Sequence, residues 1–159
     1  MEYMNTNQKS LRLTLDLKTS SALAAKLAKK INTPQLIELI GDLGGGKTAF
    51  TKALGKTLGV KQTITSPTFN IHRSYEFDGG KLEHFDLYRI NDDEYVLNEL
   101  QDCLTDPNAL VVVEWAQNFH KVLDKNRLVI KFEYIDENTR GLVFSAEGDK
   151  STKLLEVLK

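Results

Sequence analysis

The feature that most restricts the possible folds of this chain is a glycine-rich segment, GDLGGGKT, at residues 41–48. It fits the pattern G-x-x-x-x-G-K-[ST] and directly follows an apolar run at residues 36–40. Glycines in this pattern let successive backbone N–H groups turn inward around a phosphate, and the following helix directs the positive end of its dipole at the same anion. The segment therefore predicts a buried strand, a phosphate-binding loop and a helix, in that order.

The same pattern predicts roles for particular side chains. Lys47 is expected to reach the β- and γ-phosphates of a nucleotide, and the Thr48 hydroxyl to bind a magnesium ion that bridges them. Hydrolysis also needs a carboxylate for the metal and a group that orients water. Glu114 ends the buried run 109–113, so it is expected at the strand edge where phosphate loops lie, with a rim carboxylate as the alternative. The pattern around Asp86 alone predicts a solvated acid on a hairpin.

The rest of the sequence alternates strand patterns with helix patterns. Ser20 and Ser21 are predicted to cap the first helix, and the turn at residues 78–80 permits a tight antiparallel hairpin. The periodicities predict strands at 11–17, 36–40, 69–77, 81–90, 109–115, 127–135 and 141–148, and helices at 21–30, 47–58, 91–104 and 151–159. We therefore expect an α/β, P-loop NTPase-like three-layer fold in one domain, 1–159. Its mixed sheet has added antiparallel hairpins and helices on both faces.

Charge and composition limit the possible partners and chemistry. The chain has 21 basic and 22 acidic residues, so it lacks a net positive field, and any RNA role is expected to need a partner protein. Neither a signal peptide nor a membrane span is recognisable, which predicts a cytoplasmic protein. Cys103, the only cysteine, is expected to pack as a small hydrophobe. His72, His84 and His120 lack metal-ligand spacing, so neither zinc binding nor thiol catalysis is expected.

Four short motifs occur in the order GDLGGGKT, SPTF, HFDLYR and VEW, within roughly residues 36–118. In their order and separations they resemble the bacterial tRNA threonylcarbamoyladenosine biosynthesis ATPase family, TsaE. The resemblance implies a small P-loop ATPase that uses ATP and Mg²⁺ and is weak alone. It also implies that the chain acts on a two-protein threonylcarbamoyl transferase complex, reaching tRNA only through that complex and not transferring the group itself.

The resemblance also implies roles for residues along the chain. Those around the phosphates are Gly44, Gly45, Gly46, Lys47, Thr48 and Ala49. Thr48, Glu114 and Asp86 would form the metal site, with Asp86 in the catalytic centre near the metal. The implied catalytic residues are Lys47, Asp86 and Glu114. A switch-like loop would consist of Ser66, Pro67, Thr68 and Phe69. Trp115 would adjoin the site, and Arg140 would lie near the nucleotide.

Two function classes remain open beside this one. A small-molecule kinase would share the phosphate loop, but it normally needs an arginine-rich lid, and no such cluster follows in the sequence. A nucleotide-gated binding module with incidental hydrolysis would use the same ligands as an ATPase. The guanine-reading N-K-x-D motif is absent from the sequence, which favours ATP over GTP.

Overall fold

The computed structural model describes residues 9–159. Residues 1–8, which include most of the polar opening stretch used to argue against a signal peptide, lie outside the described part. The elements in chain order are β1 (Lys9–Asp16), α1 (Leu17–Ala28), β2 (Gln35–Ile40), α2 (Lys47–Leu58), β3 (His72–Phe77), β4 (Gly80–Asp86), α3 (Glu94–Thr105), β5 (Ala109–Glu114), a 3-10 turn (Gln117–Phe119), β6 (Leu128–Tyr134), β7 (Thr139–Ala146) and α4 (Asp149–Glu156).

The seven strands form one mixed sheet in the order β1-β7-β6-β2-β5-β4-β3. Strands β6, β2, β5 and β4 run parallel, while β7 is antiparallel to both β6 and β1, and β3 is antiparallel to β4. In this register Glu114 lies beside Leu39 of β2 on one side and beside Asp86 of β4 on the other. The carboxyl ends of the parallel strands therefore meet at one edge, called here the carboxyl edge, where the glycine-rich loop and both acids lie.

Helices cover the sheet on both faces and create two separate cores. On one face α1, α2 and α4 pack against the sheet around fully buried side chains such as Leu27 and Phe50. On the other face α3 packs around Leu100. Strand β5 is buried along its whole length and supplies both cores, since Val112 belongs to the first and Val111 to the second. The predicted three-layer α/β fold with a mixed sheet is confirmed.

Helix α2 begins and ends where the sequence predicts, and glycines set both ends. Gly46 precedes its first residue with φ 102°, and Gly59 follows its last with φ 94°. Both values lie in the left-handed region, which side chains rarely tolerate, so glycine fits both positions. The chain can therefore leave the glycine-rich loop and enter the helix within one residue.

The start of α1 differs from the sequence prediction. The Asp16 carboxylate accepts a hydrogen bond of 2.6 Å from the Thr19 N–H and caps the helix, so Ser20 and Ser21 lie inside it. Leu17 is accordingly helical, although it continues the alternation of the preceding strand. A side-chain cap thus ends the strand one residue before its apolar pattern ends.

The β3–β4 hairpin is antiparallel, as predicted, but both strands are shorter than their patterns. Strand β3 begins only at His72 because Ile71 has a positive φ of 65°, which turns the chain out of the ladder. Strand β4 ends at Asp86, so Tyr88 and Arg89 follow the strand and are exposed. Within residues 9–159, no helix combines the length and apolar character needed to cross a bilayer.

Candidate functional site

An opening of about 280 Å³ lies at the carboxyl edge above the start of α2. Of the residues singled out from the sequence, those that line it are Gly44, Gly45, Gly46, Lys47, Thr48, Ala49, Ser66, Thr68, Asp86, Glu114 and Trp115. The exposed Leu43, which the sequence analysis did not single out, also lines it. The fold therefore brings four separate motifs to one place.

Three of the predicted site residues lie outside the lining. Pro67 is buried, while Phe69 is 88% exposed and is the most exposed large apolar side chain described. Arg140, at the start of β7, contacts the glycine-rich loop, where its Nε donates to the Gly45 carbonyl at 3.3 Å. Its guanidinium also lies 5.1 Å from the Tyr134 ring centre. Arg140 thus supports the glycine-rich loop.

Lys47 is buried, and its ammonium group lies against the backbone of the glycine-rich loop. The Nζ donates to the Gly41 and Asp42 carbonyls at 2.7 and 2.8 Å. Burial lowers the pKa of Lys47 below its ordinary value, and the nearby carboxylates of Glu114, Asp86 and Asp42 oppose that shift. Among residues 9–159, the hydrogen bonds of this cation at the opening go only to neutral carbonyl oxygens.

Asp86 is only 4% exposed, so the pattern-based expectation of a solvated acid is wrong. The reason is topological. Strand β4 lies between β3 and β5, so its last residue lies inside the sheet at the carboxyl edge and not in solvent. Its Oδ2 accepts a hydrogen bond of 2.8 Å from the Thr68 hydroxyl, and its Oδ1 accepts one from the Tyr88 N–H. Thr68 is in turn 2.6 Å from the Ser66 hydroxyl. Asp86 therefore holds the SPTF loop against the opening.

Glu114 forms a buried pair with His84, which the sequence analysis considered only as a zinc ligand or a partner of Cys103. His84 is 0% exposed, and its Nε2 lies 2.9 Å from Glu114 Oε1. A signal was present in the sequence, because His84 alternates with Leu82 and Asp86 and so shares their face of β4. The isolated motif HFDLYR gave no indication of which strand would lie beside it.

The backbone is strained at two points that flank the opening. Trp115, directly after Glu114, has φ 58°, and Ile71, two residues after the SPTF loop, has φ 65°. Residues other than glycine rarely adopt these values, and such strain tends to cluster at functional sites. Trp115 packs against the Tyr88 ring at 4.8 Å, and the Lys47 Nζ lies 5.1 Å from its ring centre.

The donor set at the opening fits a nucleotide phosphate with a hard divalent cation. Thr48, Asp86 and Glu114 offer only oxygen atoms, which Mg²⁺ prefers to nitrogen or sulfur. Positive φ values of 74° at Gly44 and 102° at Gly46 give the loop a curvature that side chains disfavour. Phosphate loops use this curvature to direct backbone N–H groups at an anion.

A second polar cluster lies on the opposite face of β4. The His72 ring is 2.7 Å from Glu83 through Nε2 and 2.8 Å from Glu99 through Nδ1. Burial lowers the pKa of His72, but its contacts with Cys103, Glu83 and Glu99 outweigh this and raise the pKa to about 10. Cys103 therefore packs beside charged groups, not solely as a small hydrophobe, and donor atoms of His72, Glu83 and Cys103 lie within 4.8 Å of one another. No pattern in the sequence indicated this pairing.

Cavity size alone would point away from the glycine-rich loop. A cavity of about 440 Å³ lies at the other end of the parallel strands, lined in part by Pro34, Leu36 and Ala109. Another, of about 420 Å³, adjoins Trp115 and Phe132. Neither is lined by Lys47, Asp86 or Glu114, which the sequence motifs single out, so the smaller opening is the candidate site.

Comparisons with known proteins agree with the motifs. A family model described as threonylcarbamoyl adenosine biosynthesis protein TsaE matches residues 14–142. The tRNA threonylcarbamoyladenosine biosynthesis protein TsaE of Bacillus subtilis is 32% identical over 145 residues, covering 91% of this chain and 90% of the relative. The protein of the same name from Aquifex aeolicus is 38% identical over 122 residues, covering 74% of this chain and 82% of the relative.

A solved structure supports the same assignment. The crystal structure of YdiB from Bacillus subtilis resembles this chain with a TM-score of 0.78 at 28% sequence identity, and the match covers 95% of each chain. The family model spans well over half of the chain and includes the glycine-rich loop, the SPTF loop, Asp86 and Glu114. The chain belongs to the TsaE family.

Proposed function

We propose that this TsaE family member is the ATP-binding and ATP-hydrolysing component of the machinery that makes threonylcarbamoyladenosine in tRNA. Its family membership supports the role in tRNA modification. The observation that carries the nucleotide chemistry is the convergence of Lys47, Thr48, Asp86 and Glu114 on one opening beside the glycine-rich loop. Burying two carboxylates and a lysine together costs folding free energy, and such groups cluster at functional sites.

Lys47 and the loop supply the phosphate-binding groups in this proposal. The ammonium donates to the neutral carbonyls of Gly41 and Asp42. Phosphate oxygens are stronger acceptors for an ammonium, because both partners are then charged. Lys47 would therefore turn from its loop carbonyls to the β- and γ-phosphates, and the N–H groups of the loop would donate to the same anion.

Thr48 and Glu114 would hold magnesium, with Asp86 beside them. When bound, Mg²⁺ neutralises charge on the phosphoryl oxygens and helps to orient the transferred group. Glu114 supplies a carboxylate at the end of β5, and Thr48 a hydroxyl in the first turn of α2. Asp86, which accepts hydrogen bonds from Thr68 and the Tyr88 N–H, would act with the SPTF loop to orient water.

The SPTF loop supports a dependence on partner proteins. Ser66 and Phe69 are exposed, and the loop is tied to the site mainly through the Thr68–Asp86 hydrogen bond. A loop held by few contacts takes up its working arrangement only part of the time, and a docked protein would fix it there. We therefore expect slow hydrolysis by the chain alone and faster hydrolysis in complex.

The exposed apolar side chains support docking at the same edge. Eight large ones in residues 9–159 are between 38% and 88% exposed: Leu17, Ile40, Leu43, Phe69, Tyr88, Tyr95, Tyr134 and Ile135. All eight lie at or just beyond the carboxyl edge, at strand ends, in its loops or at helix starts. Exposed apolar side chains concentrated at one edge of a domain favour a protein interaction surface there. We propose that the two-protein transferase complex docks here and that tRNA is held through it, since the net charge of −1 provides no overall attraction to RNA.

The experiment that tests this function follows ATP hydrolysis by the purified chain, by the partner pair and by their mixture. We expect a low rate from the chain, none from the pair, and a marked increase in the mixture that needs Mg²⁺. Full hydrolysis without the partners would contradict the partner dependence. Transfer of the γ-phosphate to a small molecule would identify a kinase instead.

A nucleotide-gated binding module is the second candidate. It is favoured by one observation: both carboxylate oxygens of Asp86 already accept hydrogen bonds within the chain. Replacing ATP with a non-hydrolysable analogue in a tRNA modification assay separates the two candidates. If the analogue sustains modification over repeated turnovers, gating by binding is sufficient; if modification stops, hydrolysis drives the cycle.

A further inference from the structure

His84 is the buried residue beside the candidate metal site to which neither the motifs nor the comparisons assign a role. It lies on β4 with its side chain on the same face as Asp86, and its side chain is fully buried. Its Nε2 is 2.9 Å from Glu114 Oε1, and no other polar atom of the described residues bonds to either ring nitrogen. The ring therefore makes its one polar contact with a residue proposed to hold magnesium.

The direction of this hydrogen bond follows from the chemistry of the two groups. An ionised carboxylate has no hydrogen to donate, so the proton between the two atoms belongs to His84 Nε2. His84 Nδ1 has no hydrogen-bond partner in the described part of the chain. A buried nitrogen without a partner destabilises the fold, and an apolar residue at this position would avoid that penalty. Packing alone thus does not explain a histidine here.

The effect on Glu114 is to distinguish its two oxygens. Oε1 accepts from His84, whereas Oε2 accepts no hydrogen bond from the described residues, and the side chain lines the opening. A carboxylate fixed through one oxygen presents the other in a single orientation. Without the histidine, the carboxylate could rotate and would lose the hydrogen bond that holds it at the edge of the opening.

We infer that His84 is a positioning residue, whose Nε2–H orients the Glu114 carboxylate so that Oε2 is presented to the divalent cation of a bound metal–nucleotide complex. The inference rests on the proposed function and adds a residue to it. His84 itself does not bind the metal, the nucleotide or the attacking water. Loss of groups that support a metal ligand commonly weakens metal affinity by about 10- to 100-fold.

A matched pair of substitutions isolates the hydrogen bond. In His84→Gln the side-chain amide reaches about as far as Nε2 and can donate to Glu114, while in His84→Met a side chain of similar length has no donor. The probe is Mn²⁺, which prefers the same oxygen ligands as Mg²⁺ and is detected by electron paramagnetic resonance. Mn²⁺ affinity is measured in the presence of a non-hydrolysable ATP analogue, and affinity for the analogue alone is measured in EDTA.

We expect His84→Met to weaken Mn²⁺ binding by about tenfold or more, and His84→Gln to stay within about threefold of the unsubstituted chain. Binding of the analogue in EDTA should be unchanged in both. Equal Mn²⁺ affinity in the Met and Gln variants would overturn the inference. If the Met variant does not fold, His84→Asn takes its place, because the shorter amide reaches only the Nδ1 position and should also weaken Mn²⁺ binding.

A double-substitution cycle tests whether His84 acts through Glu114. In the Glu114→Ala background, adding His84→Met should leave Mn²⁺ affinity unchanged, because the side chain that the histidine orients is gone. An additional loss of the same size as in the unsubstituted chain would contradict the inference. Failure of the proposed function has a different signature: the unsubstituted chain would itself bind neither the analogue nor Mn²⁺ with the analogue.

Discussion

Two histidine–glutamate pairs lie on opposite faces of β4 and differ in how completely their polar atoms are bonded. On the face toward α3, both ring nitrogens of His72 have carboxylate partners, and the ring stacks on Phe85 at 4.1 Å. On the face toward α2, His84 has one partner, Glu114, and one ring nitrogen without any in the described residues. Both pairs adjoin the same strand, but the polar atoms of His72 are fully paired and those of His84 are not.

The comparison separates a structural cluster from a candidate catalytic site. Around His72 an imidazolium is balanced by Glu83 and Glu99, so the cluster joins α3 to the β3–β4 hairpin and leaves little capacity for a ligand. Around Glu114 two carboxylates and Lys47 meet at an opening, and within the described part of the chain the lysine donates hydrogen bonds only to neutral carbonyls. Unused hydrogen-bonding and charge capacity thus distinguishes the face that would bind ATP and magnesium.

The largest expected effect is that of Lys47→Ala on the open site, which is the opening beside the glycine-rich loop. Removing the cation should lower partner-stimulated ATP turnover by about 10²-fold or more, because the phosphates lose their one side-chain cation within the glycine-rich loop. Lys52→Ala, on the exposed side of α2, is the matched control and should retain turnover. Turnover at the unsubstituted rate in Lys47→Ala would remove the basis for a phosphate site.

Exchanging the two glutamates for glutamine should produce opposite results. Glu114→Gln keeps size and hydrogen bonding but removes the charge, so the Mg²⁺ dependence of turnover should weaken by about tenfold or more, with little change in melting temperature. Glu83→Gln removes a charged partner of His72 and should destabilise the fold by about 2 kcal/mol, with a normal Mg²⁺ response. Magnesium titrations and denaturant unfolding of both variants provide the measurements. A large melting shift with a normal Mg²⁺ response in Glu114→Gln would favour a rim carboxylate.

A smaller effect is expected at the exposed rim of the open site. Tyr95, at the start of α3, is 74% exposed and does not line the candidate nucleotide site. Tyr95→Ser should lower partner stimulation by about threefold to tenfold while the rate of the chain alone and its melting temperature stay constant, because an interface aromatic is lost. Undiminished stimulation across a titration of the partner pair would exclude Tyr95 from the docking surface.

A further prediction concerns pH and the cluster around His72. The pKa of His72 is raised from 6.5 to about 10, so folding favours its protonated form. Its contribution to stability is therefore fully present below pH 6.5 and is lost as pH rises from there through about 10. The destabilisation caused by His72→Gln should accordingly shrink between pH 6.5 and pH 10 in denaturant unfolding. A difference that stays constant over this range would show that the ring is held by packing alone.

Local chemistry made much of the fold predictable from sequence. The glycine-rich loop predicted both the buried strand before it and the bounds of α2, because the helix lies between glycines with positive φ. Unbroken apolar runs such as that of β5 likewise predicted interior strands. The start of α1 was missed because Asp16, a side-chain cap, competes with an apolar alternation that runs one residue further.

The site was less predictable because its contacts are distant in sequence. Asp86 was expected in solvent from its own motif, and only the resemblance to TsaE assigned it to the catalytic centre. Its burial follows from the position of β4 beside β5, which no local pattern reveals. His84 and Glu114 are 30 positions apart. His72 and Cys103 are likewise brought together only when α3 packs on the hairpin.

The most direct test of the distinction between the two faces is calorimetric titration of the chain with a non-hydrolysable ATP analogue, with Mg²⁺ and then with EDTA. We predict one binding site per chain, tighter binding with Mg²⁺ than in EDTA, loss of the Mg²⁺ enhancement in Glu114→Gln and its retention in Glu83→Gln. No binding, or an Mg²⁺ enhancement that survives Glu114→Gln and disappears in Glu83→Gln, would contradict the assignment of the open site to nucleotide and metal.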